Sequence, residues 1–123
     1  MKKIIFLSLI LMAVVAFVAS AQVSFVTGVD LNKWNPDFQI FATGGQGYNS
    51  TTVFRFMDYI CGVIDANYDL GGKDGPAWFK LPGNVTVLNV AIIVSAYLDA
   101  HPDKATATGA YIVTEALRLT WPK

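Results

Sequence analysis

The sequence predicts an all-α fold, a small single-domain bundle of about four to five helices. Three observations predict it. In four segments the apolar residues recur at spacings of three and four, the mark of one helix face turned to a core. Prolines stand at 36, 76, 82, 102 and 122, between or just after those segments. Each removes an N–H donor and restricts the residue before it, so each is a natural stop. About a hundred residues beyond the apolar start suffice for one domain around one core.

The start reads as an export leader. Lys2 and Lys3 form a positive region, Ile4 to Val18 is an almost unbroken apolar run, and Ala19-Ser20-Ala21 offers small residues for a peptidase. The run is short for a membrane span. Cleavage after Ala21 makes residues 1–21 a signal peptide and 22–123 the helical domain, with no cysteine at the cut to take a lipid. The expected location is periplasmic; an uncleaved anchor is the alternative. The whole chain carries nine basic and nine acidic residues. Without Lys2 and Lys3 the count is seven against nine, a net charge of about −2. That balance has neither the basic patch nor the field that nucleic acid or an anionic membrane selects, so neither is expected as a partner.

The elements follow in order. Thr27 N-caps a short first helix through Asp30, Leu31 and Trp34, its hydroxyl accepting from a free backbone N–H, and Pro36 ends it. Asp37 to Tyr48 is expected as a flexible connector. Its Gly44-Gly45-Gln46-Gly47 lacks the lysine and hydroxyl of a phosphate loop and follows no strand. A second helix runs from about Thr51 to Tyr68, capped by Ser50 or Thr51, with Val53, Phe56, Met57, Ile60, Val63, Ile64 and Asn67 mostly on one face. Gly71 to Pro76 then forms a mobile loop.

The third segment holds Val85, Val87, Val90, Ile92, Ile93 and Val94, which suit a buried strand. The apolar pattern continues through Tyr97 and Leu98, so length favours a helix over roughly Val85 to Ala100 with Asn84 as N-cap. It stops at His101-Pro102. The fourth helix, from about Lys104 to Leu119, turns Ile112, Val113, Ala116 and Leu119 inward, with Asp103 at its positive end.

Catalytic, cofactor and metal sites find little support, and no cofactor is expected. Cys61, the single thiol, sits among Tyr59, Ile60, Val63 and Ile64 and reads as a buried small hydrophobe. An intermolecular disulfide is the alternative. His101, the single histidine, suits a helix end where its imidazole binds spare carbonyls. Asp99, His101 and Asp103 flank a helix stop and do not converge on a metal. The sequons at Asn49 and Asn84 read as helix caps.

The order of these pieces is more specific than any one of them. Gly28, Leu31 and Trp34 come first, then Asp58-Tyr59-Ile60-Cys61-Gly62-Val63-Ile64-Asp65-Ala66, then Lys80-Leu81-Pro82, then Tyr97-Leu98-Asp99-Ala100-His101-Pro102-Asp103 and a closing Trp121-Pro122. In this order the chain resembles the Rap1a/Tai family of type VI secretion amidase immunity proteins. It departs from the family pattern where cysteines are expected: Asn35, Phe56, Lys80 and Lys123 stand there, and Asp58 replaces a glycine. Both disulfides implied by the resemblance are therefore absent, and packing by residues such as Phe56 has to compensate.

The resemblance implies a periplasmic immunity protein, not an enzyme, that binds and inhibits a secreted peptidoglycan amidase effector. The sequence also allows a homodimer. The second reading is a periplasmic helical scaffold or ligand-binding protein without a toxin partner. For contact residues the Gly71 to Phe79 loop offers Lys73, Asp74, Trp78 and Phe79, which combine charge with aromatic anchors, although Trp78 suits a core position equally.

Overall fold

The computed structural model describes residues 25–123, so the leader, residues 1–21, lies outside the described residues. Among the described residues four helices form the bundle: α1 Gly28–Ala42, α2 Ser50–Gly71, α3 Val87–Ala100 and α4 Gly109–Thr120. Short 3-10 turns, Gly72–Asp74 and Pro102–Lys104, follow α2 and α3. Among the described residues there is no strand, and isolated bridges join Thr27 to Thr108 and Phe79 to Pro122. The all-α expectation holds.

The α2 face is built as its spacing predicts. Val53, Phe56, Ile60, Val63 and Asn67 are all buried, with Met57 and Ile64 half-buried on its shoulders. From α1 come Leu31 and Phe38, and the Phe38 and Phe56 rings lie 4.8 Å apart. Val90 and Val94 of α3 and Ile112, Val113 and Leu117 of α4 complete the core.

Pro36 does not end α1, which runs on to Ala42 with the proline inside it. An interior proline costs about 3 kcal/mol, because the carbonyl four residues back loses its donor. Here Leu31 and Asn35 before it and Phe38 after it are all buried on one face, and packing on both sides offsets that cost. Residues 37–42, expected as connector, are therefore helix. The chain turns only at Thr43 and the Gly44 to Gly47 loop, where Gly44 and Gly47 take φ of 76° and 85°, a region L side chains avoid.

Thr27 caps α1 as expected, and the caps of α2 and α3 differ. At α1 the Thr27 N–H donates to Asp30 Oδ2 at 2.9 Å, so the side chain at the third helical position reaches back to the cap. Asn49, one residue earlier than expected, caps α2 by accepting from the Thr52 N–H at 3.1 Å. Thr86, in place of Asn84, caps α3 through the Asn89 N–H at 3.2 Å.

The largest shift is at α4. Residues 105–108 do not extend the helix, and the carbonyls of Ala105 and Ala107 serve α1 instead. Gly28 N–H donates to Ala107 O at 2.9 Å and Val29 N–H to Ala105 O at 3.0 Å, satisfying donors that α1 leaves free at its start. Gly28 is needed there: a Cβ would lie 2.7 Å from the Ala105 backbone. Thr108 then caps α4 through the Tyr111 N–H at 3.2 Å, and Asp103 belongs to the 3-10 turn. Leu117 takes the inward position expected of Leu119, which is 59% exposed in the last turn.

The His101-Pro102 stop forms as expected. α3 ends at Ala100, and the His101 Nδ1–H donates to the Tyr97 carbonyl at 2.9 Å while its ring stacks on Tyr97.

Candidate functional site

Two seams of the bundle differ in how they are filled. Between α1 and α3 the seam is closed by polar side chains that satisfy one another. Asn35 Nδ2 donates to Asp99 Oδ1 at 3.2 Å, Gln39 Nε2 to Asp99 Oδ2 at 2.7 Å, and Ser95 Oγ to Asn35 Oδ1 at 2.6 Å. Asp99 is thus a structural acceptor, and among the described residues no cluster of His, Cys, Asp and Glu could hold a metal.

Between α2 and α4 the seam is an open apolar groove of about 760 Å³. It is lined by the small residues Gly62 and Ala66 from α2 and Ala110 from α4, by buried Val63, and by the larger Leu70, Trp78 and Tyr111. Those three are 67%, 42% and 47% exposed, a concentration of large apolar side chains of the kind found at interaction surfaces. The helices can approach here because Gly109 has no side chain: a Cβ would sit 2.8 Å from the Tyr59 ring. Burial pushes the Tyr59 hydroxyl above its ordinary pKa, partly countered by a hydrogen bond from the Ala110 backbone.

One rim of the groove is charged. Arg118 and Glu115 form a two-pronged ion pair, Nη2 to Oε1 at 2.6 Å and Nε to Oε2 at 3.1 Å, and this lowers the Glu115 carboxyl pKa. Lys104 lies 5.8 Å from the centre of the Tyr111 ring, within cation–π range.

The structure separates the four expected contact residues. Trp78 lines the groove, while Lys73 and Asp74 are exposed in the 3-10 turn beyond it. Phe79 is fully buried in the core, which removes it from the contact set. From Ala77 onward the loop is held to α2. Buried Asn67 donates from Nδ2 to Phe79 O at 2.9 Å and accepts at Oδ1 from the Trp78 N–H at 2.8 Å and the Phe79 N–H at 3.2 Å. The Ala77 N–H donates to the Asn67 carbonyl at 2.8 Å and the Leu81 N–H to Tyr68 Oη at 2.9 Å. These bonds press the loop onto the end of α2 and fix where Trp78 stands.

The groove residues Tyr59, Gly62, Ala66, Leu70 and Tyr111 were not expected as a site. A signal existed: Tyr59, Ala66 and Leu70 lie on α2 off its core stripe, as Tyr111 does on α4, and apolar residues that leave the stripe have no internal use.

Cys61 is half-buried, not buried as expected. It lines a small cleft of about 190 Å³ with Asp65, Leu81 and Val85. Burial first, then the charges of Asp58 and Asp65, push its thiol pKa up, the reverse of what activates a nucleophile. His101 is engaged with Tyr97 and lines no part of that cleft.

No helix among the described residues is long and apolar enough to cross a membrane. The family model of Rap1a immunity proteins matches residues 27–122. No curated protein and no solved structure matches the chain.

Proposed function

The chain belongs to the Rap1a immunity protein family, and from that membership we propose that it is a periplasmic protein that binds and blocks a peptidoglycan amidase delivered by type VI secretion. Family membership carries this reading. The leader-like start of the chain supports export. The groove between α2 and α4 supports binding, since aromatic side chains beside small residues lose little conformational freedom when a partner docks.

Stoichiometric inhibition asks for a rigid surface and no turnover chemistry. The raised pKa of the Cys61 thiol and the engagement of His101 with Tyr97 fit that requirement. Electrostatic steering is expected to be modest, because the chain without its leader carries only about two net negative charges by residue count.

The test is protection. Expressed with its leader, the protein should rescue a susceptible bacterium from the cell-wall hydrolase encoded beside its gene; expressed without the leader, it should not. Equal rescue by the leaderless form would overturn the periplasmic part of the reading, and no rescue by either form would overturn the immunity role.

A further inference from the structure

Asp74 is the one aspartate of the chain that is followed by glycine. The pair occupies the 3-10 turn Gly72–Asp74 and its cap Gly75, between the end of α2 and the segment that Asn67 holds. Asp74 is exposed, and among the described residues no hydrogen bond or ion pair holds its carboxylate. The Gly75 N–H is tied to the Gly72 carbonyl at 3.3 Å, longer than an ordinary N–H···O bond. A Cβ on Gly72 or Gly75 would meet nothing within 4 Å, so the turn has open space around it.

The other aspartates stand differently. Asp30 and Asp37 lie in α1, Asp58, Asp65 and Asp69 in α2, and Asp99 in α3, where the helical ladder engages the amide that follows. Asp103 precedes Lys104, whose N–H donates to His101 O at 3.1 Å. In each of these the next residue also carries a side chain that shields its nitrogen. At Asp74 the neighbouring nitrogen belongs to a residue without a Cβ, so it reaches the carboxyl unhindered.

We propose that Asp74–Gly75 is a site of spontaneous backbone isomerisation. The Gly75 nitrogen attacks Cγ of Asp74 in its acid form, and the turn gives way as it does so. An N–Cγ bond forms, while the amide proton and the carboxyl hydroxyl leave together as one water, giving a cyclic imide. Water then opens the ring. Attack at Cγ restores aspartate; attack at the Asp74 backbone carbonyl breaks the original peptide bond and leaves the chain running through the side chain as isoaspartate, with a free carboxylate on Cα. Nothing is oxidised or reduced, and the water lost is replaced by the water gained.

The product puts an additional backbone carbon into a loop whose ends are fixed. A Cβ on Gly71 would lie 2.8 Å from Pro76, and the Ala77 N–H donates to Asn67 O at 2.8 Å. The extra length therefore goes outward, into the open space at Gly72 and Gly75. The inference is independent of the toxin.

The experiment incubates the protein without its leader in heavy-oxygen water at physiological temperature, beside a synthetic peptide of residues 69–80, and separates the tryptic peptides of both by chromatography and mass. An isoaspartate form of the Asp74 peptide, carrying heavy oxygen from the water, should accumulate in the folded protein. Its rate should fall within about fivefold of the free peptide's, because a turn held by one long bond opens at almost no cost. Peptides holding the other aspartates should stay unchanged. Asp74→Glu should melt like the parent and remain unmodified, since its longer side chain has to close a larger ring. Conversion of the free peptide with none in the folded protein would show that the turn protects Asp74, and would overturn the proposal. Conversion at the helical aspartates as fast as at Asp74, or in neither protein nor peptide, would overturn it as well.

Discussion

The α1–α3 seam and the α2–α4 seam are built from the same kind of amphipathic helix, yet one is shut and the other open. At the shut seam Asn35 and Ser95 are buried, Gln39 is half-buried and Asp99 stands at the exposed edge, and the four satisfy one another. At the open seam Leu70, Trp78 and Tyr111 remain in contact with solvent. Polar groups lock helices together only when every partner is present, so they mark where the fold is finished. Uncovered aromatics beside small residues are what a contact surface is made of. Stability and recognition are thus assigned to different seams, and substitutions should separate them.

The largest effect should come from the core that both seams share. Phe56→Ala empties a fully buried site facing Phe38 and should cost about 3–5 kcal/mol in chemical denaturation, enough to threaten folding in a domain of this size. Asn67→Ala comes next. It leaves the Phe79 carbonyl and the Trp78 and Phe79 amides without their partner, at about 2–3 kcal/mol, and it should also weaken toxin binding because Trp78 loses its anchor.

At the shut seam, Asn35→Ala removes one acceptor and one donor from the network and should cost about 1–3 kcal/mol with binding unchanged. Tyr111→Ala should do the opposite: stability within about 0.5 kcal/mol of the parent, affinity for the hydrolase lower by about tenfold or more. If Asn35→Ala weakens binding as much as Tyr111→Ala does, the division between seams is wrong.

Cys61 gives the smallest effect. Its raised pKa keeps the thiol protonated at neutral pH, so alkylation should be slower than that of a free cysteine and should accelerate as pH rises beyond the ordinary thiol range. Rapid alkylation at neutral pH would show an open, activated thiol.

The core was legible because its signal is repetitive: Val53, Phe56, Ile60, Val63 and Asn67 follow the helix period, and all are buried. The His101-Pro102 stop was legible because its physics is local. What local rules missed was decided by tertiary contact. Pro36 reads as a stop, but burial of Leu31 and Phe38 carries α1 through it. Residues 105–107 read as helix, but the carbonyls of Ala105 and Ala107 are taken by the start of α1.

At the positions where the family pattern has cysteines, Asn35 and Phe56 are buried in the bundle, and the Lys80 N–H donates to the Trp121 carbonyl at 3.1 Å beside the Phe79–Pro122 bridge. Packing and backbone pairing hold these places. Of the expected contact residues, Trp78 lies in the groove, but Phe79, one residue on, is core. Sequence alone could not separate them, because what distinguishes them is how Asn67 seats the loop. The groove was legible only in part: its residues leave the core stripe of each helix, but that they meet is visible only once the helices are packed.

The most direct test of this division is to follow the backbone amide resonances of the protein as the neighbouring hydrolase is added. The account predicts shifts concentrated at Tyr59 to Leu70, at Trp78 and at Ala110 to Arg118, with Asn35, Gln39, Ser95 and Asp99 undisturbed. Shifts centred on the α1–α3 seam or on the Gly44 to Gly47 loop, with the groove silent, would contradict it.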